Sequence, residues 1–188
     1  MSLRSHLTRE GFAIARGVLD ATSVRVLREA FLSAGAIQRG GAVYAARQAL
    51  AIPPVRTCAI SGAASNLARE ILGDDARPIR GILFDKRPEA NWPVAWHQDT
   101  TIAVRERRDA PGYGPWSVKA GVPHVQPPAS VLERMVTVRL HLDDCPAENG
   151  ALRVIPRSHE RGKLDRTTIR RLAAQRPSRA RPRAATPS

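Results

Sequence analysis

The run Asn91-Trp92-Pro93-Val94-Ala95-Trp96-His97-Gln98-Asp99-Thr100-Thr101 is the stretch whose reading decides the fold. Taken as extended chain, it places an imidazole and a carboxylate two residues apart on one face, because side-chain direction repeats every two residues along a strand. Both groups can then grip one metal ion. His97 and Asp99, completed by a second histidine from elsewhere, have the composition of the facial triad of non-haem Fe(II) oxygenases, which keeps positions open for co-substrate and O2. A His-x-Asp triplet by itself is a weak signal, and the flanking segments have to carry the rest.

Working towards the C-terminus, residues 105–130 hold Pro111, Gly112, Gly114, Pro115, Gly121, Pro123, Pro127 and Pro128. That density predicts neither helix nor a regular central strand, but a long loop of the kind that covers a substrate site. Met135 to Leu142 alternates, with Val136, Val138, Leu140 and Leu142 on one face, and predicts a half-buried strand. Asp143 to Gly150 supplies a turn and Ala151 to Ile155 a returning strand, ended by Pro156.

Towards the N-terminus, Ile79 to Lys86 is β-rich, Pro88 breaks it, and Val94 to His97 resumes it. Gly11 to Leu19 reads as a short strand entering a turn. Asp20 then suits a helix N-cap, with Val24, Leu27, Phe31 and Leu32 at helical spacing as core residues and Gly35 as the stop. Residues 42–52 are compatible with strand or helix, ended by Pro53-Pro54. Ser65 suits the cap of a second helix through Leu67, Ile71 and Leu72, closed by Gly73. Helices followed by antiparallel strands predict an α+β domain with a jelly roll or partial barrel.

Composition narrows the function classes. A chain of 188 residues is long enough for one sizeable core. It has no run of about 18 apolar residues and no signal-peptide pattern at Met1 to Glu10, so it is expected to be soluble and cytoplasmic. Cys58 and Cys145 are the only cysteines and lack a C-x-x-C spacing, which argues for reduced structural thiols. The net charge of +13 would suit a polyanionic partner, but Arg161 to Ser188 holds nine Lys or Arg against one Asp, so most of the excess is in a tail. That tail has no aromatic residues to stack on bases, which disfavours a nucleic-acid binder.

In combination, Phe84-Asp85-Lys86, Asn91-Trp92, Trp96-His97-Gln98-Asp99, His141-Leu142-Asp143-Asp144-Cys145, Glu148-Asn149-Gly150-Ala151-Leu152 and Val154-Ile155-Pro156-Arg157-Ser158-His159 resemble the phytanoyl-CoA dioxygenase family, from about Gly11 to about Gln175. The resemblance implies a double-stranded β-helix (cupin-like jelly roll) with N-terminal helices. It also implies Fe(II), 2-oxoglutarate as co-substrate, and hydroxylation of an unactivated C–H bond of a small molecule. His97 and Asp99 look like its first two iron ligands. His141 and Asp143 repeat the spacing and are a rival pair, in a segment that looks like scaffold in the family. Trp116 matches an aromatic near the co-substrate or is a loop anchor. Lys86 is a candidate for a carboxylate of 2-oxoglutarate or is simply exposed. Gln98 should point away from His97 and Asp99; Thr100 or Thr101 could line the pocket, and His124 and Gln126 the entrance. His159, in the Pro-x-Ser-His turn, suits a structural hydrogen bond.

The chain departs from the family after that turn. Family members continue through further strands to a distal histidine, the third ligand, and to an arginine for the far carboxylate of 2-oxoglutarate. Here no histidine follows His159. Residues 1–175 therefore read as an incomplete domain whose C-terminal strands are missing, and residues 176–188 as a basic disordered tail, the pattern of a truncated or frameshifted member. Weak or no turnover is the expectation, with an inactive remnant or binding module as the alternative.

Overall fold

The computed structural model describes residues 2–33, 45–46, 48–85, 94–146 and 151–175. Helix α1 (Leu3–Glu10) starts at Ser2, whose hydroxyl accepts from the Ser5 N–H, and stops at Gly11, whose φ of +80° only glycine adopts without strain. The strand expected over Gly11–Leu19 does not form. Gly11 and Gly17 both have positive φ, which breaks an extended run, and the backbone here pairs with the far end of the chain instead: Arg157 N–H donates to Glu10 O at 2.8 Å.

Helix α2 (Ala21–Ser33) begins as expected, with Asp20 Oδ1 accepting from Ser23 N–H at 2.6 Å. Leu27 enters the core at 6% exposure, whereas Leu32, expected there, is 76% exposed. After β1 (Ala45–Ala46) and a 3-10 turn (Ala49–Ala51), Pro53-Pro54 opens α3 (Pro53–Ile60) instead of merely closing what precedes it. Proline has no N–H to leave unpaired in a first helical turn and its φ is already helical. Helix α4 (Ala63–Leu72) follows at once. Gly62 lets the two approach, since a Cβ there would lie 2.8 Å from Cys58 Cα. Ser65 is inside α4, not its cap; it is buried and donates to Ile60 O at 2.9 Å. Arg4 of α1 donates from Nη2 and Nε to Ile71 O, placing a cation on the carbonyl end of α4.

The β part is smaller than expected. β1 pairs antiparallel with β2 (Leu83–Phe84), and β3 (Ile102–Ala103), β5 (Val122–Val125) and β4 (Trp116–Lys119) form a three-stranded antiparallel sheet with β5 in the centre. The expected long loop thus contains a hairpin. Its turn residues Ala120 and Gly121 both have positive φ, 52° and 77°, the condition for a two-residue turn whose twist matches the strands. Pro123 sits in the central strand without cost to the β4 ladder, and on the β3 side it forgoes only the return bond to Val104, just past the end of β3. Two residues from the turn it falls at a non-bonded pair with Val118 of β4, and on the β3 side only its carbonyl is used, accepting from Val104 N–H at 3.0 Å. A short α5 (Ala129–Leu132) follows.

Met135–Leu142 and Ala151–Ile155 are not strands, although Met135–Leu142 alternates cleanly. Alternation fixes a face; a strand also needs a partner to take its N–H and C=O groups, and none lies beside these segments among the described residues. The described residues are therefore α+β with two small antiparallel sheets, and they do not close a double-stranded β-helix. Ser158–Arg161 forms a 3-10 turn and Arg166–Gln175 helix α6, capped by Asp165. Leu27, Ala49 and Val125 are the buried apolar residues, with His124 buried beside Val125. Both cysteines are half-buried and form no disulfide. No described helix is long and apolar enough to cross a membrane. The tail at 176–188 lies outside the described residues.

Candidate functional site

Residues 94–101 run irregularly into β3, and Gln98 fixes them. Its side-chain amide donates to Gly162 O and accepts from Leu164 N–H, both at 2.8 Å. One side chain thus satisfies both a carbonyl and an amide of the segment ahead of α6. The residue between the two candidate ligands is tied to a segment remote in sequence.

His97 Nδ1 lies 2.7 Å from Ala95 O. A carbonyl only accepts, so Nδ1 carries a proton, and in the neutral ring the lone pair is then on Nε2. That lone pair is on the side of Asp99: Nε2 and Oδ1 are 3.7 Å apart, with 56% and 68% of the two side chains exposed. Two donors this close can both reach one ion at bond lengths of about 2.1 Å. A ring oriented through its other nitrogen is the usual support for a metal-binding histidine. The donor set, neutral imidazole plus carboxylate, fits a divalent ion. A group of three or more His, Cys, Asp or Glu that could hold a metal is not found among the described residues.

The other histidines are engaged elsewhere. His124, 3% exposed, donates from Nδ1 to Val122 O and accepts at Nε2 from Arg80 Nη1 at 3.3 Å, so it is packed behind the site and does not border an entrance. His159 donates to Thr8 O at 2.9 Å and packs on Gly11, the structural hydrogen bond expected of it. His6 meets Phe12 edge to face. His141 is half-buried; burial, and secondly the Arg139 charge, lower its pKa below 6.5. Its companion Asp143 is held by Arg28 at 2.5 Å, which occupies the carboxylate the rival pair would need.

A cavity of about 350 Å³ opens beside His97 and Asp99. It is lined by residues 97–101, by Arg80, Ile82 and Phe84, and by Lys119 of β4. Arg80, Ile82 and Phe84 alternate, so one face of an extended run is turned to the cavity. Of the residues expected around the site, Thr100 and Thr101 line this cavity; Trp116 and Gln126 do not. Trp116 and Lys119 are an odd number of residues apart on one strand and leave opposite faces of it, and the Arg107 guanidinium covers the Trp116 ring at 5.4 Å. Lys86 lies outside the described residues. Sequence reasoning missed Arg80 and Lys119. The alternation Arg80-x-Ile82-x-Phe84 was the one available signal, and nothing local connects Lys119 to His97.

The profile of the phytanoyl-CoA dioxygenase (PhyH) family matches residues 7–185. The chain belongs to the phytanoyl-CoA dioxygenase family. Its members are jelly-roll oxygenases of the Fe(II)/2-oxoglutarate type. No curated protein and no solved structure matches the chain. In this phytanoyl-CoA dioxygenase family member, the His-x-Asp pair lines a cavity that also carries two cationic side chains.

Proposed function

We propose that this chain is a non-haem Fe(II)- and 2-oxoglutarate-dependent dioxygenase of hydroxylase type, with His97 and Asp99 as its protein ligands for iron. One observation carries the proposal: Nε2 of His97, the ring nitrogen not engaged by Ala95 O, lies 3.7 Å from Asp99 Oδ1, and both residues line a cavity of about 350 Å³. Family membership supplies the reaction class. Bound iron and 2-oxoglutarate would supply O2 activation for attack on a C–H bond. The chain's own residues do the positioning. Ala95 O fixes the imidazole tautomer, Asp99 provides one negative charge, Gln98 holds the residue between them, and Ile82 and Phe84 give the cavity an apolar wall. Its volume is that of a small-molecule site. We further propose that the three-stranded sheet is the part of the family's jelly roll that carries this site, and that residues 1–175 act as one unit.

A second reading, a binding module that keeps the pocket without turnover, is favoured by the lack of a third His, Cys, Asp or Glu grouped with the pair among the described residues. An anaerobic Fe(II) titration separates the two, read by the metal-to-ligand charge-transfer band with and without 2-oxoglutarate. Wild type should develop the band, and His97→Ala and Asp99→Asn should each lose it. Both side chains are largely exposed, so stability should move by no more than about 0.5 kcal/mol in either variant. Iron binding unchanged in both variants sinks the assignment; a band without consumption of 2-oxoglutarate under air selects the binding module.

A further inference from the structure

The geometry points to Arg80 and Lys119 as an anion-binding subsite in the cavity that His97 and Asp99 also line, taking the remote carboxylate of a small dicarboxylate. The inference rests on the reading of His97 and Asp99 as metal ligands. Both cations border the cavity, from the run entering β2 and from β4. Each is oriented by a neutral partner that leaves its charge uncompensated. Arg80 Nη1 donates to His124 Nε2 at 3.3 Å, and His124 is itself buried and pinned through Nδ1 to Val122 O. Lys119 Nζ donates to Thr101 Oγ1 at 3.2 Å. Neither cation is paired with a carboxylate among the ion pairs of the described residues.

Charge then selects the ligand. Among the described residues bordering the cavity, Asp99 is the one carboxylate, set against Arg80 and Lys119. A divalent ion at His97 and Asp99 adds two further positive charges. A monoanion leaves most of this uncompensated, whereas a dianion with one end on the ion and the other on the two cations compensates it along the length of the cavity. The guanidinium offers N–H groups beyond the one held by His124, and the ammonium offers donors beyond the one on Thr101, so both can meet a carboxylate while keeping their anchors.

The test compares 2-oxoglutarate with 2-oxobutyrate, which has the same keto-acid end and no second carboxylate, on the full chain loaded anaerobically with Fe(II). Affinities come from the charge-transfer band and, independently, from equilibrium dialysis. Wild type should prefer 2-oxoglutarate by about 10–100-fold, the range expected for charge-assisted hydrogen bonds to one carboxylate. Arg80→Gln and Lys119→Met should each shrink that preference about tenfold while binding Fe(II) as wild type does. Because Arg80 also bonds the buried His124, Lys119→Met provides a variant that leaves that contact intact. A preference retained in both variants, with iron still bound, overturns the subsite. If wild type fails to bind iron, the ligand assignment of His97 and Asp99 fails on its own. The subsite is then read with glutarate on the metal-free protein: binding weakened in both variants upholds it, and binding absent or unchanged overturns it.

Discussion

Replacing Gln98 with alanine tests whether the candidate ligands are held by a long-range tether. The glutamine makes two side-chain hydrogen bonds to backbone at 2.8 Å, one to Gly162 O at an exposed position and one from Leu164 N–H where the surroundings are partly buried. A net hydrogen bond contributes about 0.5–1.5 kcal/mol, the lower end suiting the exposed bond and the upper end the partly buried one, whose N–H would be stranded. The sum is about 2 kcal/mol. For a chain of this size each kcal/mol moves Tm by roughly 2–4 °C, so Gln98→Ala should melt about 4–8 °C lower. The tether also supports the residues on either side of Gln98, and loss of such support typically weakens metal binding by about 10–100-fold. Differential scanning calorimetry and anaerobic Fe(II) titration read the two effects separately. Gln98→Glu keeps an acceptor for Leu164 N–H but sets an oxygen against Gly162 O, and should recover no more than half of the loss in Tm. If Gln98→Ala melted within about 1 °C of wild type and bound iron equally well, the tether would have no energetic role and the argument would be wrong.

Gly11→Ala should cost at least about 1 kcal/mol in urea denaturation, because φ is +80° and the new Cβ would lie 2.4 Å from His159 Nδ1; His159→Ala in the same chain should return part of that cost, and a purely additive double variant would show that the contact is not the cause. His141 has its pKa lowered by burial, so the unfolded chain takes up a proton before the folded one does. Its stabilising contribution is complete above pH 6.5 and declines as pH falls below that value, and His141→Gln should flatten the stability profile over that range; an unchanged slope would contradict the burial argument.

The helices show what a local reading can and cannot see. Asp20 and the apolar spacing after it located α2 because capping and periodicity are both written within one segment. The same rules misplaced Ser65, since the break between α3 and α4 at Gly62 depends on how closely two helices pack. Proline stops a helix from within, so Pro53-Pro54 reads as an end; it also starts one, and only the residues that follow decide which applies. In residues 105–130 the count of prolines and glycines hid a hairpin. Ala120 and Gly121 supply its turn, and Pro123 falls where β4 does not need its missing N–H and β3 has already ended. That is a statement about register, which composition does not carry.

For the site the division is the same. His97 and Asp99 were legible because the spacing of two residues is a local geometric fact, and the bond from His97 Nδ1 to Ala95 O, again two residues away, is equally local. Whether the pair is useful depends on non-local facts: the Gln98 tether, the alternating run of Arg80, Ile82 and Phe84, and the arrival of Lys119 on a hairpin strand. The Met135–Leu142 segment reverses the lesson. Its His141 and Asp143 have the same spacing and a cleaner alternation, yet Arg28 holds the carboxylate and no partner strand holds the backbone. Identical spacing therefore meets different surroundings at the two places. What separates them is the surrounding charge: a carboxylate already paired with arginine has little to offer a cation, whereas Asp99 is paired with no arginine or lysine among the ion pairs of the described residues.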